Sequence, residues 1–332
     1  MRELSFDYIK GALIFLVIFG HAIIYISGID CYYDPLWKTI HSFHMPLFVL
    51  LSGYFFKNRV DTSFMALCKK QFTRLILPQV SFVILGFVLM PFDWNHFSYL
   101  IAINGNIDIK PLYHYVTFAW FLWCIFFCSL FVNFLTRILG KYASLSILLV
   151  CILMFIFFEY LPGPLFKNQQ LAKQLLFFII GIWFREYQQR FSNMKYAILL
   201  IAVLIISYYL PSLLSYKIHF VNYHNWMILA LATCPVIYYL LKRLYELSFI
   251  KNIIVRWGQN SLGLYIIHVF FIRFIFTAFG LSFSTGYIYC DYAICFLCSI
   301  GVSYVIMKII KLIQRNNIAR LFLLGEIQTK KL

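Results

Sequence analysis

SFDYIKGALIFLVIFGHAIIYIS, residues 5–27, decides the fold. After Asp7 and Lys10 it stays apolar as far as Gly20, meets His21, and continues apolar to Ser27. A helix crossing about 30 Å of hydrocarbon needs about 20 mostly apolar residues, and 7–27 supplies one. Nine stretches of the same kind follow, at roughly 37–56, 73–91, 115–135, 142–160, 171–185, 196–211, 223–241, 261–280 and 289–312. Whole-chain composition agrees: of 332 residues, 63% are hydrophobic and 12% charged, with mean hydropathy +0.83. A soluble domain carries about 25% charged residues, so a soluble enzyme, a disordered protein and a disulfide scaffold are excluded. The apolar runs are continuous rather than alternating, which argues against a β-barrel. The expected fold is all-α: a polytopic membrane bundle of ten transmembrane helices, one domain over 1–332, with no appended soluble domain. Residues 1–6 are too short and polar for a cleavable signal, so the first run is expected to be an anchor.

Basic residues orient the bundle. With the N-terminus in the cytoplasm, the outer loops hold Lys38, Lys110, Lys167, Lys173 and Lys217, and Arg273 falls inside a span. The other 22 of the 28 lysines and arginines lie in cytoplasmic segments. This bias puts both termini in the cytoplasm and the protein in the cytoplasmic (inner) membrane as a multi-pass chain. The net charge of +16 is then mostly topological and calls for no nucleic acid. Nine cysteines are scattered, mostly within spans. Whether Cys31 and Cys290, both near the outer face, pair is left open.

Ionisable groups inside a membrane are costly and point to function. The eleven steps from Lys10 to His21 make about three turns, so both share one face, about 16 Å apart along the axis. Ile14 and Val17 lie between them. Asp7, one turn before Lys10, can pair with it. His41 and His44 enter the second span near the outer face, suited either to interfacial anchoring or to substrate. Ser52-Gly53 allows close approach of a neighbouring helix. Arg74 stands directly before an apolar span. Lys57 and Arg59 read as orientation determinants only. In the ninth span Asn260 or Ser261 would cap a helix whose N-terminus suits a phosphate. Ser261, Tyr265 and His268, at i, i+4 and i+7, share a face. The histidines are not at metal-ligand spacing on one helix, and no metal is expected.

Together these motifs resemble the acyltransferase-3 family of integral-membrane acyltransferases, most nearly its fucose 4-O-acetylase-like branch. The carriers are Lys10 with His21, FHMPLF and LSGY between Phe43 and Tyr54, RLILP at Arg74–Pro78, WFL at Trp120–Leu122, and WGQNSLGLYIIH at Trp257–His268. They span residues 7–268 in the family's order. Arginine is common in the family where Lys10 stands; lysine keeps the charge and loses the bidentate fork. The resemblance implies transfer of an acetyl or other short acyl group from cytoplasmic acyl-CoA, typically acetyl-CoA, to a hydroxyl of a surface or lipid-linked glycan. It implies His21 as general base, with Tyr265 or His268 polarising the thioester carbonyl or orienting His21. Lys10, Arg74, Asn260 and Ser261 would hold the donor's phosphates, and His44, His41 and Trp120 the acceptor. No permanently bound cofactor is implied. The alternative is a glycan or lipid transporter using the same polar residues as a path.

Overall fold

The computed structural model describes residues 3–57, 61–89, 120–156, 168–217, 223–269, 271–272 and 284–326. Among them every regular element is helical. In chain order these are α1 (Leu4–Tyr25), α2 (Pro35–His41), α3 (His44–Phe55), α4 (Phe64–Gln71), a π-helical turn (Phe72–Ile76), α5 (Leu77–Leu89), α6 (Trp120–Leu139) and α7 (Ala143–Ile156). Then come α8 (Asn168–Glu186), α9 (Gln188–Asn193), α10 (Lys195–Leu214), α11 (Tyr223–Leu247), α12 (Lys251–Gln259), α13 (Ser261–Val269), α14 (Ile288–Ile313) and α15 (Asn317–Leu324). Five helices among the described residues are long and apolar enough to cross a membrane: Leu4–Tyr25, Trp120–Leu139, Lys195–Leu214, Asn225–Leu247 and Ile288–Ile313. The chain is membrane-embedded.

Several expected spans are not single helices. The stretch 37–56 divides at Ser42-Phe43 into α2 and α3. Pro46 is the reason: it has no N–H for the Ser42 carbonyl four residues back. The Thr233 hydroxyl of α11, which donates to the Leu229 carbonyl of its own helix at 2.9 Å, lies 3.3 Å from the freed carbonyl and shares its hydrogen with it. A neighbouring helix thus satisfies the backbone that proline frees, as hydrocarbon requires. The third span starts in the π-turn; of the ninth, α13 and residues 271–272 fall among the described residues, with α12 preceding it and joined to it at Asn260. Arg273 and the outer stretch 92–114 lie outside the described residues.

Helix α1 is central. Most of its residues are buried, including Ile9, Leu13, Ile14 and Ile18, and it packs against α2, α3, α11, α12, α13 and α14. Lipid tails are as apolar as leucine, so such helices associate by close packing rather than by escape from water. Two glycine pairs provide it. A Cβ on Gly11 would overlap the Ile254 carbonyl, and one on Gly258 the Asp7 carbonyl. Gly53 and Gly181 do the same against Phe178 and Leu50. In each pair the glycine faces a carbonyl three or four residues before its partner. Contacts between helix ends give the directions: Tyr54 and Phe184, near the C-terminal ends of α3 and α8, have ring centroids 5.7 Å apart, and His21 and His268, toward the C-terminal ends of α1 and α13, 5.2 Å apart. Hence α3 parallels α8, and α1 parallels α13.

Lys38, on α2, is fully buried. Its ammonium donates to the Ser212 and Ser215 carbonyls at 3.0 and 2.5 Å, closing the C-terminal end of α10, where a cation suits the helix dipole. Asp34 caps α2 by accepting the Trp37 N–H at 2.6 Å and also accepts the Tyr292 hydroxyl. Cys31 and Cys290 are both free thiols. Cys290 is exposed and Cys68, on α4, is half-buried. In variants retaining one of the two, a membrane-impermeant maleimide added to intact cells is expected to label Cys290 and spare Cys68. The opposite pattern would invert the orientation.

Candidate active site

A cavity of about 730 Å³ opens at the end of the bundle where α1 begins. Each wall contributes for a local reason. Helix α1 presents Asp7 and Lys10, one turn apart. The Asp7 carboxylate is buried and accepts from the Lys10 ammonium at 2.8 Å. The same ammonium lies 5.3 Å from the Phe55 ring centroid. Lys10 is therefore held in place before any ligand arrives. Across from it, the π-turn carries Arg74. The extra residue of a π-turn rotates the side chains that follow, and such bulges recur at functional sites. Helix α13 adds Ser261 from its first turn and Tyr265 from its second. Lys57 and Lys70 complete the lining with Glu3, so cations predominate at the mouth. Deeper, Phe48, Leu51, Phe121 and Leu122 make it apolar. A basic mouth over an apolar throat suits an anionic molecule with a long slender arm.

The throat ends at aromatic rings. Phe121 and Tyr265 have centroids 5.3 Å apart, Tyr265 and His268 5.7 Å, and His268 and His21 5.2 Å. His21 also stacks on Tyr25 at 6.0 Å. On the far side Trp37 stacks on His41 at 4.4 Å, and His41 lies 5.5 Å from His44 and 6.1 Å from Trp226. His21 is within electrostatic range of both His41 and His44. His21, His41 and His44 are each part-exposed, whereas His268 is fully buried.

The hydrogen bonds fix two tautomers. Nδ1 of His268 sits 3.0 Å from the Leu264 carbonyl, and Nδ1 of His44 sits 2.7 Å from that of Ile40. A carbonyl only accepts, so each Nδ1 carries the hydrogen and each neutral ring presents Nε2 as a lone pair. Nε2 of His268 is buried with no hydrogen-bond partner among the described residues.

The residues singled out by sequence fall into two groups. Lys10, Asp7, Arg74, Ser261 and Tyr265 line the cavity. His21, His268, His41 and His44 gather beyond its inner end. Three expectations change. The stripe between Lys10 and His21 is closed, because Ile14 and Val17 are buried against neighbouring helices; contact with His21 runs through Tyr265 and His268 of α13. Asn260 does not line the cavity: its amide donates to the Arg256 carbonyl at 2.9 Å, back toward α12. Trp120 sits edge-on to Phe121 at 6.1 Å, outside the lining. Sequence reading passed over Lys57 as a purely topological charge, singled out Ser52 only for helix packing, and missed Lys70 and Ser129, which also line the cavity. It missed Trp37, Trp226 and Lys173 too; the Lys173 ammonium lies 5.0 Å from the Trp226 ring. No motif marks them, since only the packing of α2, α8 and α11 unites them. Among the described residues no group of three His, Cys, Asp or Glu side chains is arranged to hold a metal ion.

A membrane-embedded helical bundle with a basic, apolar-throated cavity leading to a cluster of imidazoles has the parts of a group-transfer enzyme that works within a bilayer. Residues 3–308 match the sequence profile of the acyltransferase domain (acyltransferase 3), and the chain belongs to that family. It is 31% identical over 154 residues to the nodulation protein NolL of Sinorhizobium fredii, covering 45% of this chain and 40% of that protein. It is 31% identical over 160 residues to the nodulation protein NolL of Mesorhizobium japonicum, covering 45% and 39%. The aligned part thus spans well under half of these curated relatives. No solved structure matches.

Proposed function

We propose that the protein is a multi-pass O-acyltransferase of the cytoplasmic membrane. It moves a short acyl group, acetyl in the first instance, from cytoplasmic acyl-CoA to a hydroxyl of a surface or lipid-linked glycan. The observation that carries this reading is the position of the cavity. Its mouth bears Lys10, Arg74, Lys57 and Lys70, and its throat stops at Tyr265, two ring contacts from His21.

The residues divide the work as follows. Lys10 and Arg74 make charge-assisted hydrogen bonds to the donor's phosphates. The free N–H groups at the start of α13, beside Ser261, favour the same anion. The pantetheine arm lies along Phe48, Leu51 and Phe121 and brings the thioester to Tyr265, whose hydroxyl donates to the thioester carbonyl oxygen. From the opposite side His41, His44, Trp37 and Trp226 hold the acceptor. The acceptor oxygen attacks the carbonyl carbon as His21 takes its proton. The carbon–sulfur bond then breaks, and the departing CoA sulfur receives the proton as a thiol. His268, its Nδ1–H fixed on Leu264, orients His21. Support for the topology comes from the parallel pairs: α1 with α13, and α3 with α8, run in the relative directions that the loop charges require.

The decisive experiment incubates purified protein with acetyl-CoA labelled in the acetyl group and candidate glycans, and follows label into the glycan. Absence of any CoA binding would favour the transporter reading. For Lys10→Ala, which removes one phosphate contact and strips the buried Asp7 carboxylate of its cation, CoA is expected to bind about tenfold more weakly, with some loss of thermal stability. Equal affinity, measured by calorimetry in detergent, would remove Lys10 from the donor site.

A further inference from the structure

The residues after 308 lie beyond the family match, yet they touch both walls of the donor cavity. Helix α14 ends at Ile313, Asn316 caps α15 by accepting the Ile318 and Ala319 N–H groups, and α15 closes at Gly325 with φ +63°. On one wall, Gly325 lies directly against the backbone of Arg74. A Cβ built there would be 2.5 Å from the Arg74 carbonyl oxygen and 2.9 Å from its Cα. On the other wall, Gln314 donates to the Asn260 side-chain oxygen at 3.4 Å and to Glu326 at 3.2 Å. Asn260 immediately precedes Ser261, the first residue of α13. Leu324 is buried, and with Ile310 it packs under Gly263, where a Cβ would lie 2.9 Å from Ile310 and 3.0 Å from Leu324. Outward, Ile318 and Phe322 are exposed, the pattern of a helix seated in a membrane interface.

We infer that the segment from Gln314 to Glu326 is a strap that sets the spacing between Arg74 and Ser261, and that Gly325 is a positioning residue for donor binding. The π-turn also packs against α6, and α5 against α13; the strap adds the contact that bears on the Arg74 backbone itself. An Arg74 displaced by about 1 Å would still carry its charge but miss its geometry, and small displacements have large effects on bound ligands. Gly325 is suited twice over: its left-handed φ favours glycine, and its missing side chain admits the Arg74 backbone.

This inference rests on the cavity being the donor site, so the test measures CoA binding to the unmodified protein first. If that protein does not bind CoA, the donor reading itself fails. If it binds, Gly325→Ala is expected to weaken CoA binding about fivefold or more and to raise the donor KM alike. The acceptor KM should stay constant and kcat should remain within about twofold. Gly325→Asn separates the two properties, since asparagine tolerates the left-handed φ but brings a Cβ. It should be as impaired as alanine. Combined with Arg74→Ala, Gly325→Ala should add little further loss, because both act through one group. Unchanged CoA affinity, full rescue by asparagine, or additive losses would each overturn the proposal. Should the Gly325 variants fail to fold, Gln314→Ala cuts only the polar tie to Asn260 and Glu326. It should weaken CoA about two- to threefold, and no change there would equally overturn the strap.

Discussion

His21→Ala is expected to lower the rate of acyl transfer by about 10²–10⁴-fold, the range for removing a positioned general base. Donor binding should be unaffected, because His21 is not in the cavity that Lys10 and Arg74 line. Single-turnover transfer measured beside CoA calorimetry separates the two. The expected signature is full CoA affinity with transfer nearly abolished. Wild-type transfer by the variant would take the base away from His21. His268→Ala makes a graded comparison. That ring touches His21 at 5.2 Å and is tied by Nδ1 to Leu264, so its removal leaves the base present but free to turn. The loss should be smaller than for His21→Ala and should fall on kcat rather than on either KM.

The second large effect concerns folding. Gly258→Val, and to a lesser degree Gly258→Ala, are expected to prevent α1 and α12 from meeting. The atom in the way of the new Cβ is the Asp7 carbonyl oxygen, which belongs to rigid helix backbone. Overpacking a side chain against other side chains costs about 1–3 kcal/mol; backbone cannot rotate aside, so the loss here should exceed that range. Asp7 is also the partner of Lys10, so any surviving protein should bind CoA poorly. The control is Gly301→Ala on α14, where an added Cβ meets nothing within 4 Å. It should be neutral or stabilising by up to about 1 kcal/mol. Thermal unfolding in detergent and the yield of monodisperse protein read both. A well-folded Gly258→Val would disprove the tight crossing.

How much of this was legible in the sequence depended on the range of the interaction concerned. The Asp7–Lys10 pair and the shared face of Ser261, Tyr265 and His268 follow from helical periodicity, and the structure has both. Gly53 as a site of close approach was legible because glycine beside serine in an apolar run has few other uses. Gly11 and Gly258 were not singled out, for they sit among polar residues where a chemical reading takes precedence over packing. The break between α2 and α3 was hidden because its cause, Pro46, is tolerated in membrane helices when a neighbour donates. That neighbour, Thr233, is nearly 200 residues away. The π-turn left no mark either: nothing in Phe72-Thr73-Arg74-Leu75-Ile76 distinguishes it from a turn of α-helix. The closed stripe between Lys10 and His21 shows the limit of reading one helix alone. Periodicity tells which residues share a face, but whether that face is open depends on what lies against it.

The ring wall of Phe121, Tyr265 and His268 has a consequence for the cell that houses it. A passage open at both ends would leak ions and discharge the membrane potential whenever the enzyme stood idle. Among the described residues the cavity stops against the contacting rings of Phe121, Tyr265 and His268, so on the proposed reading a donor must be long and thin enough to thread the throat before its reactive end meets that partition. Transfer on the proposed reading would then need no water-filled path through that ring wall.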